Sequence, residues 1–141
     1  METITQANKV VYTGRTVTKG AREGTSKSSD GLLDVKLSTP GTKATGTNPE
    51  QLFAAAWSAC FGSTIAIGAK RMKIDVPEDT SIAAEIDLVT GKDGAFLQGR
   101  LNVSLPGLDK DVAQQLLDFA HDNCPYSKAI RGNVNAEIKL V

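Results

Sequence analysis

Cys60 and Cys124 are the two thiols in this 141-residue sequence, and they are the first residues to weigh for chemistry. A thiolate is a strong nucleophile, but a thiol needs a reason to ionise. Cys60 follows Ala56 and Trp57 by one helical turn and Phe53 by two, so it faces the apolar side of a helix. Burial there would raise its pKa and leave it inert, and free cysteines often simply fill space. Deep inside a helix it gains little from the helix dipole, so activation requires a cation delivered from elsewhere. Cys124, in His121-Asp122-Asn123-Cys124-Pro125-Tyr126-Ser127, precedes a helix-starting proline and lies near the backbone amides that lower thiol pKa values. The two thiols are sixty-four residues apart, which is neither a CxxC redox pair nor a zinc-ligand spacing. His121 is the sole histidine, too little for a metal site, and a Cys-His nucleophile pair would want a third, orienting group.

The elements that position these residues begin with one long helix, Thr47 to Arg71. Asn48 can cap it with Pro49 at the first helical position, or Thr47 and Glu50 can form a capping box. Its interior is apolar almost all the way round, from Leu52 and Phe53 to Ile65 and Ile67, which predicts burial on most sides. At ~1.5 Å per residue it reaches ~33 Å, about the width of a small domain. Lys70, Arg71 and Lys73 put positive charge at its C-terminal end, as the dipole favours.

Before this helix, residues 1–9 read as a polar lead-in, followed by β-prone pieces at Val10-Val11-Tyr12 and Thr16-Val17-Thr18. Gly20 to Gly24 reads as a turn, Thr25 to Asp30 as polar chain, and Asp30-Gly31 as a hairpin signal. Leu33, Val35 and Leu37 alternate as a half-buried strand, and residues 39–46 form a loop into the helix. After the helix, Ile82 to Leu88 and Leu97 to Leu105 form a hairpin around Gly91-Lys92-Asp93-Gly94. Asp109 caps a second helix ending near Asn123, Pro125 opens a third ending at Gly132, and Val134 to Leu140 alternates as a last strand. That order is α+β, one domain over residues 1–141, with no internal repeat or linker.

Composition narrows the function classes. Sixteen basic and sixteen acidic residues leave no electrostatic footprint for nucleic acid or an anionic membrane. The apolar run from Leu52 to Ala69 is diluted by serine, threonine, glycine and alanine, a poor membrane span. With no signal-peptide pattern at the N-terminus, a cytoplasmic location is expected, where permanent disulfides are rare and the disulfides that form are mostly transient and catalytic.

Asn48-Pro49-Glu50-Gln51-Leu52-Phe53-Ala54-Ala55, leading into Ser58-Ala59-Cys60-Phe61, resembles the first signature of the organic hydroperoxide resistance proteins, relatives of osmotically inducible protein C. Cys124-Pro125-Tyr126-Ser127-Lys128-Ala129-Ile130-Arg131-Gly132-Asn133-Val134 resembles their second, and Ser29-Asp30-Gly31-Leu32-Leu33-Asp34 a shorter third. The resemblance spans nearly the whole chain. It implies an OsmC-like fold, with a long central helix packed against an antiparallel sheet in an intertwined homodimer. It also implies a thiol-dependent peroxidase with Cys60 as peroxidatic and Cys124 as resolving cysteine. The family's activating arginine matches Arg22, in a glycine-flanked turn where Ala21 stands in place of a second glycine, and its carboxylate partner matches Glu50. Arg15 is the alternative arginine, without that glycine context.

The chemistry this implies is attack of a Cys60 thiolate on an organic hydroperoxide, then condensation of the sulfenic acid with Cys124. Arg22 would stabilise the thiolate and Glu50 would orient the guanidinium. Phe53, Trp57 and Phe61 would favour alkyl or fatty-acyl hydroperoxides, though each taken alone reads first as ordinary core. No resident cofactor is expected; an external dithiol, such as lipoyl groups on carrier proteins, would complete the cycle. Glu50 and Cys60 are ten residues apart on one helix, ~15 Å along its axis, so one straight copy cannot bring them to one site. Two antiparallel copies crossing near Ala55 would, which is a homodimer with two composite sites. Two rival readings stand beside this one: a binding protein for a lipid-like ligand with structural cysteines, and a protein thiol-disulfide oxidoreductase.

Overall fold

The long helix forms as α1, Pro49–Met72, in a computed structural model that describes residues 9–141. The polar lead-in expected over residues 1–9 therefore lies, except for Lys9, outside the described residues. The described chain divides after Asn48 into two compact units.

In the N-terminal unit, β1 (Thr16–Lys19), β2 (Thr25–Ser28) and β3 (Asp34–Lys36) form an antiparallel sheet in that order. Val10 to Tyr12 forms no strand and stays exposed. The stretch expected only to be polar is β2: its sequence TSKS offers no hydrophobic alternation, yet it pairs with both neighbours and buries Ser26. The Asp30-Gly31 hairpin is built as expected. Asp30 Oδ1 accepts from the Leu32 amide at 3.0 Å and from Ser28 Oγ at 2.6 Å, and Gly31 takes a φ of 76°. An isolated parallel bridge between Leu37 and Thr47 closes the loop that follows β3.

The C-terminal unit holds most of the core. After α1 come β4 (Ser81–Gly91), β5 (Gly94–Ser104), α2 (Lys110–Asn123), α3 (Pro125–Ile130) and β6 (Asn135–Leu140). β4 and β5 form the expected hairpin, with Ala84 opposite Leu101 and Gly91 opposite Gly94. The sheet is antiparallel there, but β6 joins the far edge of β5 in parallel. The reason is the connection: two helices carry the chain back to the end where β5 began, as a parallel crossover requires. α2 starts at Asp109, whose carboxylate accepts from the amides of Asp111 and Val112, the expected cap. Trp57, Phe61 and Ile65 of α1 pack with Leu101 and Val103 of β5 and with Leu116, Leu117 and Ala120 of α2.

Burial of α1 is one-sided. Trp57, Phe61, Thr64, Ile65, Gly68 and Ala69 are buried, while Ala55, Ala59, Ala66 and Ile67 stay exposed. Burial on most sides, expected from the helix's nearly uniform apolarity, is not reached within one chain, because the sheet and α2 cover only one face. By length and composition alone α1 could cross a membrane; in this chain it is the core helix of its unit.

Candidate active site

The apolar stripe that buries α1 also presents Phe53, Trp57 and Cys60, at positions i, i+4 and i+7, to the start of α3. α3 exists because Pro125 fixes the first helical position and Cys124, in extended conformation, ends α2 and opens α3 at once. That junction places Cys124 Sγ 3.5 Å from Cys60 Sγ. Cys60 is partly accessible and Cys124 has no exposed surface. Both are thiols, and the gap to a disulfide, whose sulfurs lie at ~2.05 Å, is a small side-chain movement.

Three further contacts join the same two segments. The Tyr126 backbone amide lies near the Cys60 sulfur and favours its charged form. The Tyr126 ring meets Phe53 edge-on, with centroids 6.4 Å apart, and Phe53 meets Trp57 in the same way at 6.4 Å. Trp57 Nε1 donates to Ser127 Oγ at 3.1 Å, with both residues buried. Tyr126 and Ser127 were not among the residues the sequence marked for the site. The signal that could have found Ser127 is the need of a buried indole N–H for an acceptor.

Burial pushes the Cys60 thiol upward; the Tyr126 amide works against this, and the nearby Cys124 adds to it. Nothing in this cluster favours ionisation enough to overcome burial, so a nucleophilic Cys60 still needs a cation.

The remaining candidates are placed as follows. Arg22 is half-buried in a 3-10 turn, Ala21–Glu23, in the N-terminal unit. The turn is tightly built: a Cβ on Gly24 would fall 1.7 Å from the Lys19 carbonyl oxygen, and the Glu23 carboxylate accepts from the Thr39 amide at 3.2 Å and from its hydroxyl. Glu50 lies in the first turn of α1, half-buried and ~15 Å along the axis from Cys60. Arg15 donates to the Thr13 carbonyl on the exposed edge of its unit. His121 is exposed near the end of α2, where its carbonyl accepts from Arg131 at 2.6 Å. Trp57 and Phe61 have no exposed surface and back the site from within the core, whereas Phe53 and Tyr126 retain accessible surface beside Cys60. Among the described residues no group of three or more His, Cys, Asp or Glu side chains could hold a metal ion.

This arrangement, two thiols brought together by a long core helix and a helical junction behind a three-stranded sheet, has close parallels. Residues 41–139 match the family described as OsmC-like protein. The organic hydroperoxide resistance protein of Xanthomonas axonopodis pv. citri is 42% identical over 136 residues, covering 94% of this chain and 96% of that protein. The organic hydroperoxide resistance protein OhrB of Bacillus subtilis is 42% identical over 135 residues, covering 92% of this chain and 98% of that one. The OhrB crystal structure superposes with a TM-score of 0.88 at 38% identity, over 94% of this chain and 100% of that chain. The chain belongs to the OsmC-like family and, within it, to the organic hydroperoxide resistance branch.

Proposed function

We propose that this chain is a thiol-dependent peroxidase that reduces organic hydroperoxides and so protects the cytoplasm against oxidative stress. The observation that carries the reading is the approach of Cys60 Sγ and Cys124 Sγ to 3.5 Å, one thiol accessible and the other buried behind it. The names of its relatives point to the same substrates.

In the reaction, the Cys60 thiolate attacks one peroxide oxygen of ROOH. The O–O bond breaks, the sulfur becomes a sulfenic acid, and the departing alkoxide takes a proton to leave as ROH. The Cys124 sulfur then attacks the sulfenic sulfur, the S–S bond forms and the hydroxyl leaves as water. An external dithiol, with lipoyl groups as our candidate, reduces the disulfide and is itself oxidised to one. Arg22 supplies the charge that offsets burial of the Cys60 thiolate, and its planar fork leaves room for Glu50 to orient it. Glu50 comes from a second copy of the chain. The face of α1 left exposed is lined by Ala55, Ala59, Ala66 and Ile67, small or apolar side chains that suit close helix packing in a two-fold homodimer. Phe53, beside Tyr126, offers the alkyl group of the substrate an apolar surface.

The test is consumption of an organic hydroperoxide by the reduced protein with a dithiol, beside Cys60→Ser and Cys124→Ser variants. Loss of turnover in Cys60→Ser, with accumulation of Cys60 sulfinic acid in Cys124→Ser, supports the proposal. No consumption by the intact protein with lipoyl dithiol present would return the chain to the lipid-binding reading. Subunit mixing tests the composite site: Cys60→Ser and Glu50→Ala protomers, each inactive alone, should recover activity together.

A further inference from the structure

The two ties between α1 and the α2–α3 junction have matched spacing. Cys60 meets Cys124, and Trp57, three residues before Cys60, donates to Ser127, three residues after Cys124. Each interval is close to one helical turn, so the hydrogen bond and the sulfur pair are successive rungs between the same two segments. α3 has six residues, too short to hold its own register. Beside the site the Tyr126 ring meets Phe53 of α1 edge-on, a contact that tolerates sliding. The bond from Trp57 Nε1 to Ser127 Oγ is directional and wholly buried, so a shift of α3 along α1 would strand both polar atoms away from water. Trp57 itself is held from the other side, since its ring edge lies where a Cβ on Gly99 would stand, 2.9 Å away.

Resting on the peroxidase reading, we infer that Ser127 is a positioning residue for the resolving step. Its hydrogen bond from Trp57 keeps Cys124 within reach of the Cys60 sulfenic acid and so sets how often disulfide formation outruns over-oxidation. Attack of Cys124 on the sulfenic sulfur and attack of the sulfenate on a second hydroperoxide compete for one intermediate. The first depends on the distance between the sulfurs; the second depends on peroxide concentration. A misplacement of about 1 Å in such a step costs up to ~100-fold in rate.

The experiment compares the intact chain with Ser127→Ala, Trp57→Phe and the double variant, and it has two readouts. The first is the concentration of tert-butyl hydroperoxide at which half of Cys60 becomes sulfinic acid in one pulse, read by intact mass. The second is the effective concentration of the Cys60–Cys124 pair, read as the glutathione redox ratio at which half the protein is disulfide. We expect both to fall about tenfold or more in each single variant, and the double variant to match the singles, since one bond is lost in all three. Attack on peroxide by Ser127→Ala should slow by no more than a few-fold, through the Tyr126 amide carried on the same turn.

Stability is a separate matter. Each single variant leaves one buried polar atom unpaired, whereas the double leaves neither, so it should recover part of any lost thermal stability. A double variant that regains stability yet still over-oxidises separates positioning from structural support. Unchanged half-oxidation points in the variants, or a double variant that resolves like the intact chain, would overturn the inference. An intact chain that consumes no peroxide would instead sink the peroxidase reading, and the glutathione titration would still decide whether Ser127 positions Cys124.

Discussion

Cys60 and Cys124, sixty-four residues apart in sequence, hold their sulfurs 3.5 Å apart as thiols, and burial opposes ionisation of Cys60, the accessible partner. Burial raises the Cys60 thiol, the Tyr126 amide offsets part of this, and Cys124 adds to the rise. If Arg22 supplies the missing charge, removing it should expose the intrinsic penalty. In Arg22→Met the thiolate should therefore form at a higher pH than in the intact chain. The pH dependence of Cys60 alkylation, with Cys124→Ser as background, reads both midpoints. Coinciding midpoints would remove Arg22 from the activation step.

The turn that carries Arg22 contains a second testable feature. Ala21 has a φ of 50°, in the left-handed region, directly after Gly20 at 74°. An L-residue with a Cβ incurs about 1–2 kcal/mol there, and glycine relieves this while adding roughly 0.4–1 kcal/mol of unfolded-state entropy. Ala21→Gly should thus stabilise the chain by a net of up to ~1.5 kcal/mol, and Ala21→Val should destabilise it, because a β-branched residue tolerates this region least. Denaturant unfolding of the three proteins gives the order directly. A less stable Ala21→Gly variant would mean that the turn is not strained at this position.

Legibility in the sequence followed the strength of local signals. α2 could be read from Asp109 to Asn123 because a capping carboxylate and a following proline mark both ends. The β4–β5 hairpin could be read because Ala84, Ile86 and Leu88 alternate with Glu85 and Asp87. β2 could not, since TSKS carries no hydrophobic alternation and is a strand only because both neighbours pair with it. The parallel entry of β6 was hidden as well, because direction depends on the path of two intervening helices. The sequence marked Cys60 and Cys124 as candidates. It did not mark Ser127, because a serine one turn beyond a cysteine acquires meaning only when Trp57 is seen to face it.

On the outer face of the hairpin, Arg100 joins two carboxylates of β4. Its Nη1 and Nη2 donate to Asp87 at 2.7 and 2.9 Å, and its Nε to Glu85. Together with Gln98, Arg100 draws the Asp87 carboxyl down to about 2, the guanidinium being the larger cause. A carboxyl depressed on folding contributes stability above its unfolded value, about 3.9, and loses it as pH falls through the folded value. Asp87→Asn should therefore melt below the intact chain at neutral pH, with the difference shrinking from about pH 5, small by pH 2 and gone only below it. Melting temperatures measured across that window check the sign. A difference that persists unchanged at pH 2 would assign the loss to packing rather than to charge.

The mid-strand glycine of β5 makes the last prediction. Gly99 is buried opposite Ile86, and a Cβ there would stand 2.8 Å from Ile86 Cδ1 and 2.9 Å from Trp57 Cζ3. The Ile86 methyl ends a flexible side chain and can turn aside. The indole cannot easily follow, because Ser127 holds its N–H on the other side. Overpacking of this kind costs about 1–3 kcal/mol, so Gly99→Ala should lower stability by that order. If the indole edge is the obstacle, Trp57→Phe, which lacks that edge, should absorb the new methyl. Adding Gly99→Ala to Trp57→Phe should then cost at least ~1 kcal/mol less than adding it to the intact chain, a coupling that a denaturant double-mutant cycle measures. Strict additivity would place the clash at Ile86 alone and leave the indole free to move.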